Sequence, residues 1–126
     1  MKERETIIGQ IPGKTNHYMS VPDKATGGSR IILDEAYRSY QRSFIQQCKI
    51  YKDKLIDAPF ILHVHVWHSN NRFDLDNSLK SLLDLLQDVR AIKDDNLCIG
   101  IQAVKHVDPQ RPRIEFCIFE TQPRLF

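Results

Sequence analysis

The stretch FILHVHVWHSNNRFDLDNSLKSLLDLLQDV, residues 60–89, decides how this chain is read. Its first part alternates. Phe60, Leu62, Val64 and Val66 share one side, and Ile61, His63, His65 and Trp67 the other, because successive strand side chains point to opposite faces. The period then changes. Leu79, Leu82, Leu83, Leu86 and Val89 recur at helical spacings, the apolar stripe of a buried helix face. The segment therefore predicts a strand over Phe60–Trp67, a polar turn at Ser69-Asn70-Asn71-Arg72, and a helix over Asn77–Val89. Asp76 or Asn77 is its natural N-cap.

Between strand and helix stand Asp74-Leu75-Asp76-Asn77, and Asp94-Asp95 follow the helix. Aspartates spaced i, i+2 project from the same side of an extended backbone. Carboxylates that converge repel one another unless a cation lies between them. Carboxylate oxygens with few other ligands suit Mg²⁺ or Mn²⁺, and such sites serve phosphate chemistry. The motif thus points to metal-dependent work on a phosphodiester. The plain alternative is that these residues cap a helix and make a turn. Lys80 lies one helical turn after Asp76 and on the same side. It leans toward the carboxylates or pairs with Asp84.

Upstream, Thr6–Ile11 reads as a short strand ended by Pro12-Gly13. Tyr18–Val21 and Arg30–Leu33 read as hairpin arms around Thr26-Gly27-Gly28. Asp34–Tyr51 is helical, with Tyr37, Tyr40, Phe44, Cys48 and Tyr51 on one apolar face. Such a tyrosine stripe could stack bases, but core packing is its ordinary use. Downstream, Leu97–Lys105 is extended, with Ile99, Ile101 and Ala103 inward, and Ile114, Phe116 and Ile118 mark a last strand. The order predicts one α+β domain over residues 1–126, with a mixed sheet and two main helices. His63, His65 and His68 read as strand-surface imidazoles, because no further soft ligand stands beside them.

Composition sets the bounds. The chain has 126 residues, 41% hydrophobic and 27% charged, with formal net charge +2 and pI about 8.5. That balance permits DNA binding without demanding it. No apolar run is long enough to span a bilayer. The charged start, Met1-Lys2-Glu3-Arg4-Glu5, is unlike a signal peptide, so a cytoplasmic protein is expected. Cys48, Cys98 and Cys117 are odd in number and lack CxxC spacing. They read as buried free thiols of a reducing compartment.

The run Arg72-Phe73-Asp74-Leu75-Asp76-Asn77-Ser78-Leu79-Lys80 resembles the aspartate motif of the RusA-type Holliday junction resolvases. Asp94-Asp95-Asn96-Leu97 stands where that family has its acidic pair, with Asp76 and Asp95 separated by 95 − 76 = 19 positions. Lys14-Thr15-Asn16-His17-Tyr18 resembles its Asn-rich, basic N-terminal loop. The basic run that often precedes the motif is thinned here to Asn70-Asn71-Arg72-Phe73.

The resemblance implies a RusA-like fold and a Mg²⁺-dependent homodimer, with Mn²⁺ as a substitute ion. That dimer would nick two strands symmetrically across branched DNA. It further implies Asp74, Asp76 and Asp95 as catalytic metal ligands, Lys80 as assisting cation, and Asp94 and Asn77 in support. Lys14 and Arg72 are the expected phosphate contacts. Two other readings stay open: a catalytically inactive junction-binding module, and a metal-dependent phosphohydrolase acting on small nucleotides. The C-terminal Gln122-Pro123-Arg124-Leu125-Phe126 resembles the short peptide by which bacterial DNA enzymes dock on the replicative sliding clamp. Leu125 and Phe126 would fill an apolar pocket, and Gln122 would bond at its rim.

Overall fold

A computed structural model describes residues 3–121. Its strands are β1 (Glu5–Ile8), β2 (Tyr18–Pro22), β3 (Ser29–Leu33), β4 (Phe60–His68), β5 (Cys98–Val107) and β6 (Arg113–Glu120), and its helices are α1 (Glu35–Gln47) and α2 (Leu75–Asp88). Four strands form a mixed sheet in the order β1-β6-β4-β5, and β2 and β3 form a separate hairpin. This is the expected α+β domain with two main helices. The strand–turn–helix of residues 60–89 lies at its centre as β4 and α2.

The core is built from the alternation. Phe60, Leu62, Val64 and Val66 of β4 are buried, as are Ile114, Phe116 and Ile118 of β6. Tyr37, Tyr40 and Phe44 of α1 and Leu82, Leu85 and Leu86 of α2 join the same apolar cluster. Each large side chain so buried contributes about 1.5–3 kcal/mol of transfer free energy. The tyrosine stripe is therefore core. Leu85, which lies off the expected stripe, is fully buried as well.

Several boundaries move for physical reasons. β1 stops at Ile8 because Gly9 turns the chain at φ 122°. α1 ends at Gln47, not Tyr51, because Cys48 is already extended. The buried Glu5 carboxylate organises the turn beyond α1, its Oε1 accepting the N–H groups of Lys49 at 2.9 Å and Ile50 at 2.7 Å. α2 begins two residues earlier than expected, so its N-cap position is Asp74 rather than Asp76 or Asn77.

β5 also departs from expectation. It is an edge strand, and Ile99 and Ile101 are exposed, at 45% and 39%, rather than inward. The three cysteines are free, with Cys48 buried and Cys98 and Cys117 half-buried. Among the described residues no helix is long and apolar enough to cross a membrane.

Strand direction sets two distinct ends to the sheet. Trp67 of β4 and Ile8 of β1 both lie opposite Arg113 of β6, whereas Phe60 of β4 lies opposite Glu120. The loop that carries the aspartates leaves β4 at the Trp67 end.

Candidate active site

α2 carries the site on its first two turns. Asp74 has extended N-cap backbone, φ −85° and ψ 134°, yet its side chain makes no cap hydrogen bond. The contrast with Asp34 and Asp94 is direct. Asp34 caps α1 by accepting the Tyr37 N–H at 2.9 Å, and Asp94 caps a 3-10 turn by accepting the Asn96 N–H at 3.0 Å. Capping therefore accounts for Asp94 and leaves Asp74 unexplained. Asp76, in the first turn of α2, is exposed. Neither the Asp74 nor the Asp76 carboxylate has a hydrogen bond or ion pair among the described residues.

The two share one open cleft with Thr15, Asn16, Asn77 and Lys80. Lys80 is exposed and has no carboxylate partner among the described residues. Its alternative partner Asp84 is taken by Lys14, at 2.9 Å. The sequence suggests a phosphate contact at Lys14. Instead its ammonium is engaged by Asp84 and lies 5.7 Å from the centre of the Tyr37 ring. Asp84 holds its pKa above the ordinary lysine value although burial pushes the other way.

An adjoining cavity of about 450 Å³ is lined by Gly13, Asn16, His17, Asn70, Arg72, Phe73, Asp74, Asn77 and Ser78. Arg72 is exposed there, as expected of a phosphate contact, and its guanidinium has no internal partner among the described residues. Asn77 ties this wall to the N-terminal loop by accepting the Thr15 hydroxyl at 3.1 Å. The Lys14 N–H donates to Ser81 Oγ at 2.9 Å, which fastens the loop to α2.

Asp95 is placed differently. Its N–H donates to Gln87 Oε1 at 2.6 Å, beside the C-terminal half of α2. Gln87 is eleven residues beyond Asp76, or roughly 16 Å along a helix axis. Partial desolvation, then the hydrogen bond and charge of Asp94, and then the charge of Asp84, raise the Asp95 pKa above the ordinary carboxylate value. Among the described residues no three His, Cys, Asp or Glu side chains form a group that could hold a metal. The structure thus brings Asp74, Asp76, Asn77 and Lys80 together but does not close a three-aspartate cage within one chain.

Two carboxylates nevertheless fit a hard divalent ion. Mg²⁺ commonly takes one or two from the protein and completes its shell with water and substrate phosphate. The histidines offer no rival centre. His65 and His106 bond to each other at 2.7 Å beside Trp67 on the open face of the sheet. His68, expected at the surface, is fully buried. Gln122, Leu125 and Phe126 lie outside the described residues.

Sequence reasoning did not single out Gln10 or Ser78, nor place His68 with them beneath the aspartate loop. No spacing rule marks the three, since Gln10 and His68 meet only through the sheet.

Comparison with known proteins identifies the family. The family model for endodeoxyribonuclease RusA matches residues 9–118, a span that includes the cleft and both acidic pairs. The chain is also 27% identical over 110 residues to the crossover junction endodeoxyribonuclease RusA of Aquifex aeolicus (strain VF5), covering 86% of this chain and 84% of that protein. With a motif at a helix start, a cleft of unpartnered carboxylates and a match across most of its length, this chain belongs to the RusA family of endodeoxyribonucleases.

Proposed function

We propose that this protein is a divalent-metal-dependent endonuclease of the cytoplasm that resolves four-way DNA junctions by paired nicks, acting as a homodimer. The observation that carries the proposal is the state of Asp74: a helix cap by position that leaves its carboxylate unused beside Asp76 and Lys80.

In this reading Asp74 and Asp76 would hold Mg²⁺ or Mn²⁺. Such an ion, when bound, offsets phosphate charge and lowers the pKa of an attacking water. The chain's own residues do the rest. The N-terminus of α2 presents partial positive charge to a scissile phosphate. Lys80 stabilises the negative charge that grows on the phosphate oxygens or on the leaving oxygen. Arg72 holds a neighbouring backbone phosphate, which positions DNA without reading its sequence. Asn77 fixes the loop wall through Thr15.

Paired cuts need two sites related by near-twofold symmetry, which a C2 dimer supplies. Asp95, backed by Asp94, does not join the Asp74–Asp76 pair within one chain. A homodimer gives each pair a second Asp95 on which to draw. A docking role for Gln122, Leu125 and Phe126 on the sliding clamp is a separate proposal that rests on the sequence resemblance.

The deciding experiment incubates the protein and Mg²⁺ with a synthetic four-way junction, a linear duplex of equal length and mononucleotides. Symmetric nicks in the junction, with the duplex left intact, are expected. Hydrolysis of mononucleotides alone would favour the small-nucleotide phosphohydrolase. Junction binding without any cut would favour the inactive binding module.

A further inference from the structure

Under the aspartate loop lies a titratable side chain that the proposed chemistry does not use. His68, the last residue of β4, is fully buried, and its ring stacks on Phe73 at 4.9 Å between centroids and 8° between planes. Both ring nitrogens are engaged. Nδ1 meets the Gln10 side-chain nitrogen at 2.6 Å, and Nε2 meets Ser78 Oγ at 3.1 Å.

The hydrogen positions are set by the partners. The Ser69 N–H donates to Gln10 Oε1 at 2.8 Å, which fixes which way the Gln10 amide faces. Its nitrogen also donates to the Ile11 carbonyl at 3.0 Å. An amide N–H donates and never accepts, so His68 Nδ1 carries no proton. The neutral ring keeps its proton on Nε2 and donates it to Ser78. The Ser78 hydroxyl then donates to the Asp74 carbonyl at 3.0 Å. The order is Ser69 N–H to Gln10, Gln10 to His68, His68 to Ser78, and Ser78 to Asp74.

We propose that His68 is a positioning residue for the nuclease site: its Nε2–H tautomer, fixed by Gln10, orients Ser78 so that Ser78 holds the Asp74 main chain. The Asp74 carboxylate makes no cap hydrogen bond. The Asp74 carbonyl is held by the hydroxyl of Ser78, one turn along α2, and Ser78 is in turn met by His68 of the preceding strand. The arrangement ties three separate segments, the chain after β1, the end of β4 and the start of α2, to the pair Asp74 and Asp76. The inference rests on the assignment of those two carboxylates to the reaction.

Two measurements test it. The first needs no activity: long-range nitrogen–proton NMR of the ¹⁵N-histidine protein near neutral pH. The expected result is a neutral His68 protonated on Nε2. A proton on Nδ1 overturns the relay.

The second measures junction cleavage against Mg²⁺ concentration for Ser78→Ala, His68→Leu and His68→Gln. Loss of an outer-shell partner typically costs about 10- to 100-fold in metal affinity or activity. Ser78→Ala and His68→Leu should raise the Mg²⁺ needed for half-maximal rate about tenfold, with KM for the junction unchanged. His68→Gln, which keeps an N–H donor for Ser78, should restore most of the loss. If His68→Leu does not fold, Ser78→Ala carries the test, because it leaves His68 in place. An unchanged Mg²⁺ requirement in folded Ser78→Ala overturns the positioning role while the nuclease reading stands. Wild-type protein that leaves junctions uncut overturns both, and the NMR result then speaks only for the hydrogen-bond relay.

Discussion

Lys14 Nζ lies 2.9 Å from Asp84 Oδ2, in a pair whose side chains are 21% and 29% exposed. The pair decides the state of a third residue. Asp84 follows Lys80 by one helical turn and is the partner Lys80 would otherwise find. Lys14, reaching in from the N-terminal loop, occupies it first.

Lys80→Met should therefore lower junction turnover by about 10²-fold with little loss of stability, because it removes only charge aimed at the reacting phosphate. Lys14→Met should also lower turnover, by a smaller factor, since it frees Asp84 to draw Lys80 away. Single-turnover cleavage of a labelled junction measures both. A Lys14→Met enzyme as fast as wild type would show that Lys80 does not need to be kept free.

Asp74→Asn and Asp76→Asn should each reduce cutting by at least about 10²-fold and leave junction binding intact or tighter, since each removes a metal ligand and a negative charge. Gel cleavage with Mg²⁺ reads the first quantity, and a mobility shift without metal reads the second. Full activity in Asp76→Asn would defeat the metal assignment.

Gly13 is buried where the N-terminal loop crosses the start of α2. A Cβ there would collide with the Asn77 side-chain nitrogen and come within 2.8 Å of its Cγ. Gly13→Ala should destabilise by about 1–3 kcal/mol and displace Asn77 and Thr15 from the cleft. Urea midpoints measure the stability, and cleavage rates measure the displacement. A variant with an unshifted midpoint would mean that the loop lifts away at no cost.

Much of the fold was legible in the sequence alone. Alternation in Phe60–Trp67 and the leucine stripe after Ser78 are dictated by local periodicity, and both elements form, with α2 starting two residues early. The aspartate motif was legible because its residue types and spacing are dense within one short segment. The unused state of Asp74 was not, since whether an aspartate at a cap position accepts a helix N–H depends on its rotamer and surroundings, not on its place in the sequence. The exposure of Ile99 and Ile101 was hidden for a similar reason. Apolar alternation marks a strand, but which strand becomes the edge depends on how distant segments pair. His68 likewise meets Gln10, which lies 58 positions away, a contact that no local periodicity announces.

Acid should weaken the fold through His68. Burial first, and then the charge of Lys105, lower its pKa below 6.5, while the unfolded chain returns it to about 6.5. Between those two values the unfolded state binds more protons. Stability is therefore fully present above about pH 6.5 and falls as pH drops toward the folded-state value. Urea midpoints at about pH 7.5 and about pH 5.5 should fall for wild type and fall less for His68→Gln, whose side chain does not charge. Equal falls would remove His68 as the source.

Removal of Leu125 and Phe126 should leave junction cleavage unchanged and abolish binding to a purified bacterial sliding clamp, measured by calorimetric titration. Intact protein that shows no heat of binding to the clamp would end the docking proposal. Loss of folding on truncation would assign those residues to the fold instead.

The two ends of the sheet stand apart in space. The aspartate loop leaves β4 at Trp67, opposite Arg113, whereas β6 delivers the chain out at Glu120, opposite Phe60. The last described strand thus ends at the pole away from the cleft. The length of β4, nine residues or roughly 30 Å, therefore separates Phe60 and Glu120 from the loop of Asp74 and Asp76.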